Sequence, residues 1–415
     1  MKKRLLSLFS GCGGMDLGFE GNFETMLDYI NTDLNSDWIK KKKGNKVLLN
    51  ETPFETVFAN DILKPAEASW VPFFQSRGTS QKVFHTESIV DLVKLHREGK
   101  FNFPNAIDIV TGGFPCQDFS VAGNRKGFNS NKGHNGGLAC ELEIASAENR
   151  GQLYMWLKEV VEITKPKVFY AENVKGLITL GDVKNIIEND FRTIDNGYIV
   201  LPSKVLNAAN YGIPQSRERI IFIGLNKKYL RKEIIDILES GDIPEDLNLY
   251  PQETHYNPKK NKKNMLKPYS TCKMAFDKLL EPDEEESDLA QKAYSKAKFY
   301  KGYQGNIEIK LDYISPTIRA EHHGNIEYRR LSVENGGKYI NELEKYNERR
   351  LTVRECARLQ TFPDNYEFIR KVKKGEPYGL SASGAYKVIG NAVPPLLAYH
   401  LAKKLEEKWN KLFIS

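Results

Sequence analysis

The residues best equipped for chemistry in this chain are one thiol, Cys116, one carboxylate, Glu172, and two guanidiniums, Arg217 and Arg219. Cysteine attacks as the thiolate, and a pKa near 8.5 leaves only a few per cent ionised at neutral pH unless cations lie close. A glutamate held partly neutral can give a proton to a ring nitrogen. Two arginines two apart on a strand point to one side of it and would supply the cations. Each has a plainer explanation: an isolated cysteine is usually an inert small hydrophobe, and arginines are often simply solvated. The case for chemistry depends on whether the chain brings these groups together.

The neighbouring elements predict that it does. An apolar run, Ala106 to Val110, reads as a buried strand. Gly112-Gly113 lets the backbone turn and Pro115 holds Phe114 extended, so Cys116 is presented stiffly at the strand's carboxyl end. Gln152 to Thr164 places Leu153, Trp156, Leu157, Val160 and Val161 on one helical face. Pro166 ends that helix, and Val168-Phe169-Tyr170-Ala171 is a strand running into Glu172-Asn173-Val174. A strand–helix–strand unit of this kind has parallel strands. Cys116 and Glu172 are therefore expected at one sheet edge, where open α/β sheets bind ligands.

A second ligand site is expected beside them. Arg4 to Phe9 reads as a strand, Ser10-Gly11-Cys12-Gly13-Gly14 as a loop, and Met15 to Glu20 as the opening of a helix. Such a loop offers free amides to an anionic group, a pyrophosphate or a carboxylate. Another strand, Thr56 to Ala59, ends in Asn60-Asp61, where an acidic residue commonly takes ribose hydroxyls. Capping of the next turn is the plainer role for Asp61.

The remaining stretches are read more coarsely. Residues 31–50, rich in Asn and Lys, look like a surface insertion. Val83 to Leu95 and Val183 to Phe191 have helical spacing, and strands are expected at Tyr198 to Leu206 and Ile220 to Leu225. The polar, glycine-rich stretch Val121 to Asn149 is long enough for a lid beside the thiol; a passive insertion serves as well for its outer half. Residues 226–349 show weak periodicity, a basic run from Lys259 to Lys273, and a polar cluster from Ser315 to Asn325. Regular structure returns with a helix at Thr352 to Thr361, capped by Thr352 and Glu355, and a second at Ser381 to Ile389. A turn at Gly390 to Pro395 and an amphipathic helix at Leu396 to Trp409 follow. Three segments are expected: a catalytic and cofactor-binding domain over 1–225, a second domain over 226–349, and 350–415 returning to the first.

The totals exclude several classes. With 40% hydrophobic and 28% charged residues, the composition is that of a soluble globular protein. No run approaches the roughly 18 apolar residues of a membrane span. The apolar part of Met1 to Phe9 is too short for a secretory signal, so a cytoplasmic protein is expected. Five scattered cysteines without C-x-x-C spacing indicate neither a disulfide framework nor a metal site. A net charge of +7 leans mildly toward an anionic partner.

Thiolate addition to an electron-poor pyrimidine, with protonation of the ring, would turn an inert ring carbon into a nucleophile. A sulfonium methyl is the natural electrophile to meet it. The motifs carry this further. Phe9-Ser10-Gly11-Cys12-Gly13-Gly14, Gly113-Phe114-Pro115-Cys116-Gln117, Glu172-Asn173-Val174 and Gln215-Ser216-Arg217-Glu218-Arg219 occur in that order. Arg350-Leu351-Thr352, then Arg358-Leu359-Gln360-Thr361-Phe362-Pro363 and Gly390-Asn391-Ala392-Val393-Pro394, complete the series. Together they resemble the DNA (cytosine-5) methyltransferase family of the prokaryotic restriction-modification type.

The resemblance implies an α/β fold: a Rossmann-like, mostly parallel sheet with flanking helices and a smaller, irregular target-recognition domain. It implies methyl transfer from S-adenosyl-L-methionine to C5 of a cytosine flipped out of a specific duplex DNA sequence, through an adduct between Cys116 and C6. Glu172 would contact N3 and the amino group, and Arg219, with Arg217 nearby, would hold the base or its phosphate. Phe9, Gly11, Gly13, Gly14, Asp61, Ile62, Pro115, Asn391 and Val393 would form the cofactor pocket, Asp61 on the ribose and Ile62 against adenine. The acidic residue that binds the adenine amino group in the family falls at Glu87 or Ser88. Gln117, Ser120 and the loop to Asn149 would enter the gap left in the DNA. Gln215, Thr317 and Arg319 would also touch DNA, and no metal is implied. The implied partners are double-stranded DNA and, functionally rather than in a stable complex, a restriction endonuclease; the protein would be a monomer. An RNA cytosine methyltransferase on the same scaffold, a non-catalytic DNA-binding regulator and a nicotinamide dehydrogenase are the alternatives. The short Gly-x-Gly-Gly spacing disfavours the last.

Overall fold

A computed structural model describes residues 2–115, 153–179, 182–194, 197–260, 265–297, 307–320, 325–340, 348–371 and 379–414. The chain opens with β1 (Lys3–Leu8) and α1 (Gly14–Glu20). Next come β2 (Glu24–Met26), the single turn α2 (Thr32–Asn35), β3 (Ile39–Lys43) and β4 (Lys46–Leu49). The α/β alternation then runs β5 (Phe54–Asn60), α3 (Lys64–Ser76), β6 (Phe84–His85), α4 (Ile89–Arg97), β7 (Ile109–Gly113), α5 (Leu153–Thr164), β8 (Val168–Val174) and α6 (Val183–Arg192). It ends in β9 (Tyr198–Val200), β10 (Lys204–Asn207), β11 (Glu218–Asn226) and α7 (Lys232–Glu239).

The main sheet has the order β10-β11-β8-β7-β1-β5-β6, with β9 also on β11. The run from β8 to β6 is parallel, and β9, β10 and β11 are antiparallel to their neighbours. Its strands are apolar on both sides because both faces are covered. In β8, Val168 and Tyr170 join the core that contains α1, α3 and the C-terminal helix. Phe169 and Ala171 join the core beneath α4, α5 and α6. β11 alternates in the same way, with Ile221 and Ile223 on the first side and Ile220 and Phe222 on the second.

Residues 31–50 are more than a surface insertion. β2, β4 and β3 form a three-stranded antiparallel sheet, and Trp38, Val47 and Leu49 are buried. The alternation in β4 and the indole supply one apolar face, which the neighbouring lysines obscure in sequence. Lys40 to Lys43 are all exposed on the edge strand β3. The strand expected over Tyr198 to Leu206 is broken in two at Leu201-Pro202-Ser203, since proline cannot donate to a ladder.

Beyond α7 the elements are short: β12 (His255–Tyr256), β13 (Lys267–Pro268), α8 (Cys272–Ala275), α9 (Leu289–Lys292), β14 (Tyr328–Arg330) and β15 (Glu348–Arg350). Buried ion pairs replace regular ladders here. Arg329 and Arg349, from the paired strands β14 and β15, both meet Glu281 and Glu355 at 2.8–3.2 Å. Glu355 belongs to α10 (Val353–Leu359), whose start carries the expected capping box with Thr352. α11 (Ala382–Asn391) runs on through Gly390 to Asn391, past the expected turn, and α12 (Pro395–Leu412) starts immediately after Pro394. α12 packs along α1, and Trp38 sets its ring edge-on to Tyr399 and His400 at 5.2 and 4.7 Å.

Candidate active site

The carboxyl ends of β1, β5, β7 and β8 meet at a cavity of about 230 Å3. Glu172 comes to it from β8, in parallel register with Gly113 of β7. Arg219 comes from β11, which runs antiparallel to β8, so the start of one strand lies beside the end of the other. Arg219 Nε stands 2.7 Å from Glu172 Oε1. The glutamate is 6% exposed. Burial pushes its carboxyl above the usual carboxylate range, and the charges of Arg219 and Arg217 pull it back part of the way. A Cβ on Gly113 would lie 3.1 Å from Glu172 Oε2, so a side chain there would press on the carboxylate. Asn173 Nδ2 donates to the Phe114 carbonyl at 3.2 Å, tying the chain that leads to Cys116 to the strand that carries Glu172.

The other half of the wall is the glycine loop and its neighbours. Asp61 accepts the Gly11 amide at 2.9 Å and the Leu63 amide at 2.8 Å, so it does cap the following turn. Burial raises its pKa and the Lys387 ammonium opposes that rise. Ile62 leaves 43% of its surface exposed although it is aliphatic. Phe9 holds φ at +53°, a left-handed conformation that costs a bulky residue of order 1–3 kcal/mol. Pro115, Gly14, Asn391 and Val393 also line the cavity. So does Ser88, whereas the Glu87 carboxylate lies 3.8 Å from the ring of His85.

Several expected residues do not reach the wall. Gly13 sits under Trp70 and Phe74. Arg217 precedes β11 rather than belonging to it, and although its charge bears on Glu172 as that of Arg219 does, it does not line the cavity. It is wholly buried, and its guanidinium donates to main-chain carbonyls of Ile318 and Gly390. Gln215, expected on DNA, is also fully buried, against Leu359 and Gln360. The Thr317 hydroxyl donates to the Ser216 carbonyl at 2.5 Å. Arg319 donates to the Asn325 carbonyl and faces Glu327 at 3.6 Å. Cys116, Gln117, Ser120 and the stretch 121–149 lie outside the described residues. The three described cysteines, Cys12, Cys272 and Cys356, are buried, and burial raises their pKa.

Two residues were missed. Lys387 lines the cavity one turn before Asn391 on α11, and that i, i+4 spacing was the available signal. Asp16 lies fully buried beneath the loop, accepting Ser7 Oγ at 2.5 Å and Trp70 Nε1 at 2.7 Å. Burial raises its pKa to about 7. Nothing in the sequence marks an aspartate on an apolar helix as buried.

Known proteins show the family. A family profile described as C-5 cytosine-specific DNA methylase matches residues 3–407. The Type II methyltransferase M.BsuRI of Bacillus subtilis is 31% identical over 97% of this chain and 79% of its own length. The Type II methyltransferase M.BspRI of Lysinibacillus sphaericus is 32% identical over 98% of this chain and 82% of its own. In fold, the chain is similar to the Entamoeba histolytica methyltransferase EhMeth (TM-score 0.55, 15% identity, 99% of each chain covered). It is similar also to a Spodoptera frugiperda DNMT2 mutant (TM-score 0.54, 16% identity, 97% of this chain and 99% of that one). A profile matching nearly the whole chain, on a sheet that brings the glycine loop, Pro115 and Glu172 to one cavity, places the protein in the C-5 cytosine-specific DNA methylase family.

Proposed function

We propose that this DNA cytosine methyltransferase uses S-adenosyl-L-methionine, attacks C6 of a cytosine flipped out of duplex DNA with Cys116, and serves as the modification enzyme of a restriction-modification system. The observation that carries the reading is the pairing of Glu172 with Arg219 in the same cavity as Asp61, Ile62 and Pro115. The cavity fits the proposed donor. Asp61 is a buried carboxylate each of whose oxygens keeps a lone pair after accepting one amide, suited to two ribose hydroxyls. The exposed flank of Ile62 suits the flat face of adenine. Phe9, Gly11, Gly14, Asn391 and Val393 close the remaining wall; of the two candidates for the adenine amino group Ser88 lines the cavity and Glu87 does not, which favours Ser88. When bound, S-adenosyl-L-methionine supplies the sulfonium methyl group.

The protein's own residues do the rest. Cys116, one residue beyond Pro115, adds as thiolate to C6. Glu172, whose carboxyl burial shifts toward the protonated form, gives a proton to N3, and the electron pair of the C5–C6 bond becomes available at C5. After C5 takes the methyl group, its proton passes to water, the C5–H electron pair re-forms the C5–C6 double bond as the thiolate leaves C6, and N3 returns its proton to Glu172. Arg219 keeps Glu172 oriented and its charge partly compensated, while Pro115 and Asn173 hold the approach to the thiol. Gln117, Ser120 and the residues after them would fill the gap in the duplex, and the 226–349 segment, with Thr317 and Arg319, would face the target sequence. Flipping costs a few kcal/mol of stacking and pairing, which these contacts must offset.

Bisulfite sequencing of DNA from cells expressing the protein tests the substrate, the base and the sequence at once: one methylated cytosine motif is expected, and none would end the reading. A Cys116→Ser protein is expected to lose methyl transfer to background while still binding DNA. Equal activity would remove the thiol from the reaction, and transfer to tRNA alone would favour the RNA enzyme.

A further inference from the structure

We infer that Arg217 is a positioning residue that couples duplex DNA to the cofactor: it clasps the target-facing segment to the cofactor wall, so that ordering one orders the other. This rests on the methyltransferase reading above and adds a route of communication to it.

The clasp joins three stretches far apart in sequence. Arg217 Nη1 donates to the Ile318 carbonyl at 3.1 Å, on the segment that carries Thr317 and Arg319. Its Nη2 donates to the carbonyls of Gly390 at 2.9 Å and Asn391 at 3.4 Å, both on the cavity wall. A rigid, planar fork is what lets one side chain hold both segments at once; a lysine ammonium has no such fixed span. Gln215 repeats the arrangement. Its Oε1 accepts the Ile318 amide at 3.0 Å, and its Nε2 donates to Gln360 Oε1 at 3.2 Å. Gln360 in turn donates to the Ile389 carbonyl at 2.7 Å. Main-chain bonds between Pro214, Ser216 and Ser315 fix the register of the segment.

The two segments also touch directly. A Cβ on Gly390 would lie 2.1 Å from the Arg319 carbonyl carbon and oxygen, so the segment rests on bare backbone at the wall. The Gln215 and Arg217 side chains are wholly buried, so water does not compete for their bonds. Displacement of Ile318 by a bound duplex must therefore be felt at Gly390 and Asn391. It must be felt at Glu172 too, whose carboxyl responds to the Arg217 charge. Coupling of this kind is reciprocal and commonly worth 5–150-fold in affinity.

The test is a titration of S-adenosylhomocysteine by calorimetry, with and without a saturating duplex carrying the motif found by bisulfite sequencing. For the wild type, the duplex should tighten binding by about fivefold or more. In Arg217→Lys, which keeps the charge but not the fork, the ratio should fall to within about twofold of unity. In Thr317→Val, which removes the bond to Ser216, it should fall part of the way, read at a duplex concentration that saturates the variant, with the protein still folded. A folded R217K protein that keeps the wild-type ratio overturns the inference, and if R217K does not fold, an unchanged ratio in T317V does so. A purely structural part for Arg217 would weaken both ligands alike and leave the ratio unmoved. Wild-type protein that binds both ligands without coupling also overturns it, whereas failure to bind either ligand refutes the methyltransferase reading instead.

Discussion

Glu172 and Glu355 are both buried glutamates facing arginine, and they ionise in opposite directions. Glu172 has one guanidinium at 2.7 Å, and burial raises its pKa. Glu355 receives Arg349 and Arg329 at 2.8–3.2 Å together with the Thr352 amide at 2.9 Å. Its pKa drops to about 2. Desolvation acts on both, so the number of donors decides the outcome. The fully satisfied carboxylate locks the β14–β15 pair to α10. The partly satisfied one stays able to hold a proton where a base would arrive. Direction alone does not separate the two roles, since Asp16, whose partners are Ser7 and Trp70, is also raised; what sets Glu172 apart is that its raised carboxyl faces the cavity.

The largest expected effect tests the first half of that contrast. Glu172→Gln should lower the rate of labelled methyl transfer by about 10²–10⁴-fold while the melting midpoint stays near that of the wild type; a rate within threefold would break the comparison. Glu355→Gln should do the reverse. It leaves two arginines short of charge and should cost about 3–5 kcal/mol in urea unfolding, with little change in rate per folded molecule.

The pH dependence sharpens the same point. Asp16 has a folded pKa of about 7, above its unfolded value, so its stabilising contribution is complete below pH 4 and is lost as pH rises through 7. Glu355 is the opposite: its contribution is present above pH 4.5 and is lost only as pH falls through about 2. Between pH 4.5 and 7 Asp16 should therefore pull stability down as pH rises, against the buried neutral His255 and His400, which push it up. Asp16→Asn should shift the slope toward rising stability, by up to a few kcal/mol over that window. A slope unchanged by the substitution would remove Asp16 from the account. The smallest effect is expected at Asp61→Asn, where loss of charge-assisted bonds should weaken S-adenosylhomocysteine binding about 10–100-fold and leave DNA binding alone nearly intact.

Much of the cavity was legible because chain order dictates it. A strand, a helix and a strand in succession must place Glu172 beside Gly113, and the register confirms that placement. The glycine loop and Asp61 follow from the same rule on the far side of β1. What was not legible depends on direction and depth. Strand spacing put Arg217 and Arg219 on one side, and both charges do bear on Glu172, but it could not say that Arg217 would be buried in the clasp while Arg219 lines the cavity. Gln215 and Arg217 have the composition of a polar surface, and nothing local says that three distant carbonyl-bearing segments close over them. Asp16 and Trp38 were missed for the same reason: their partners, Trp70 and Tyr399, lie far along the chain.

The lysines of β3 have a consequence for how copies of this protein treat one another. An edge strand offers unpaired amides and carbonyls to any other strand, and consecutive charges discourage that pairing. Lys40 to Lys43 are exposed in succession, so both faces of the edge repel a second copy. The protection is electrostatic and fades as the screening length shrinks to about 3 Å near 1 M salt. Self-association should thus rise with ionic strength, and replacing Lys41 and Lys43 with valine should bring it on at low salt.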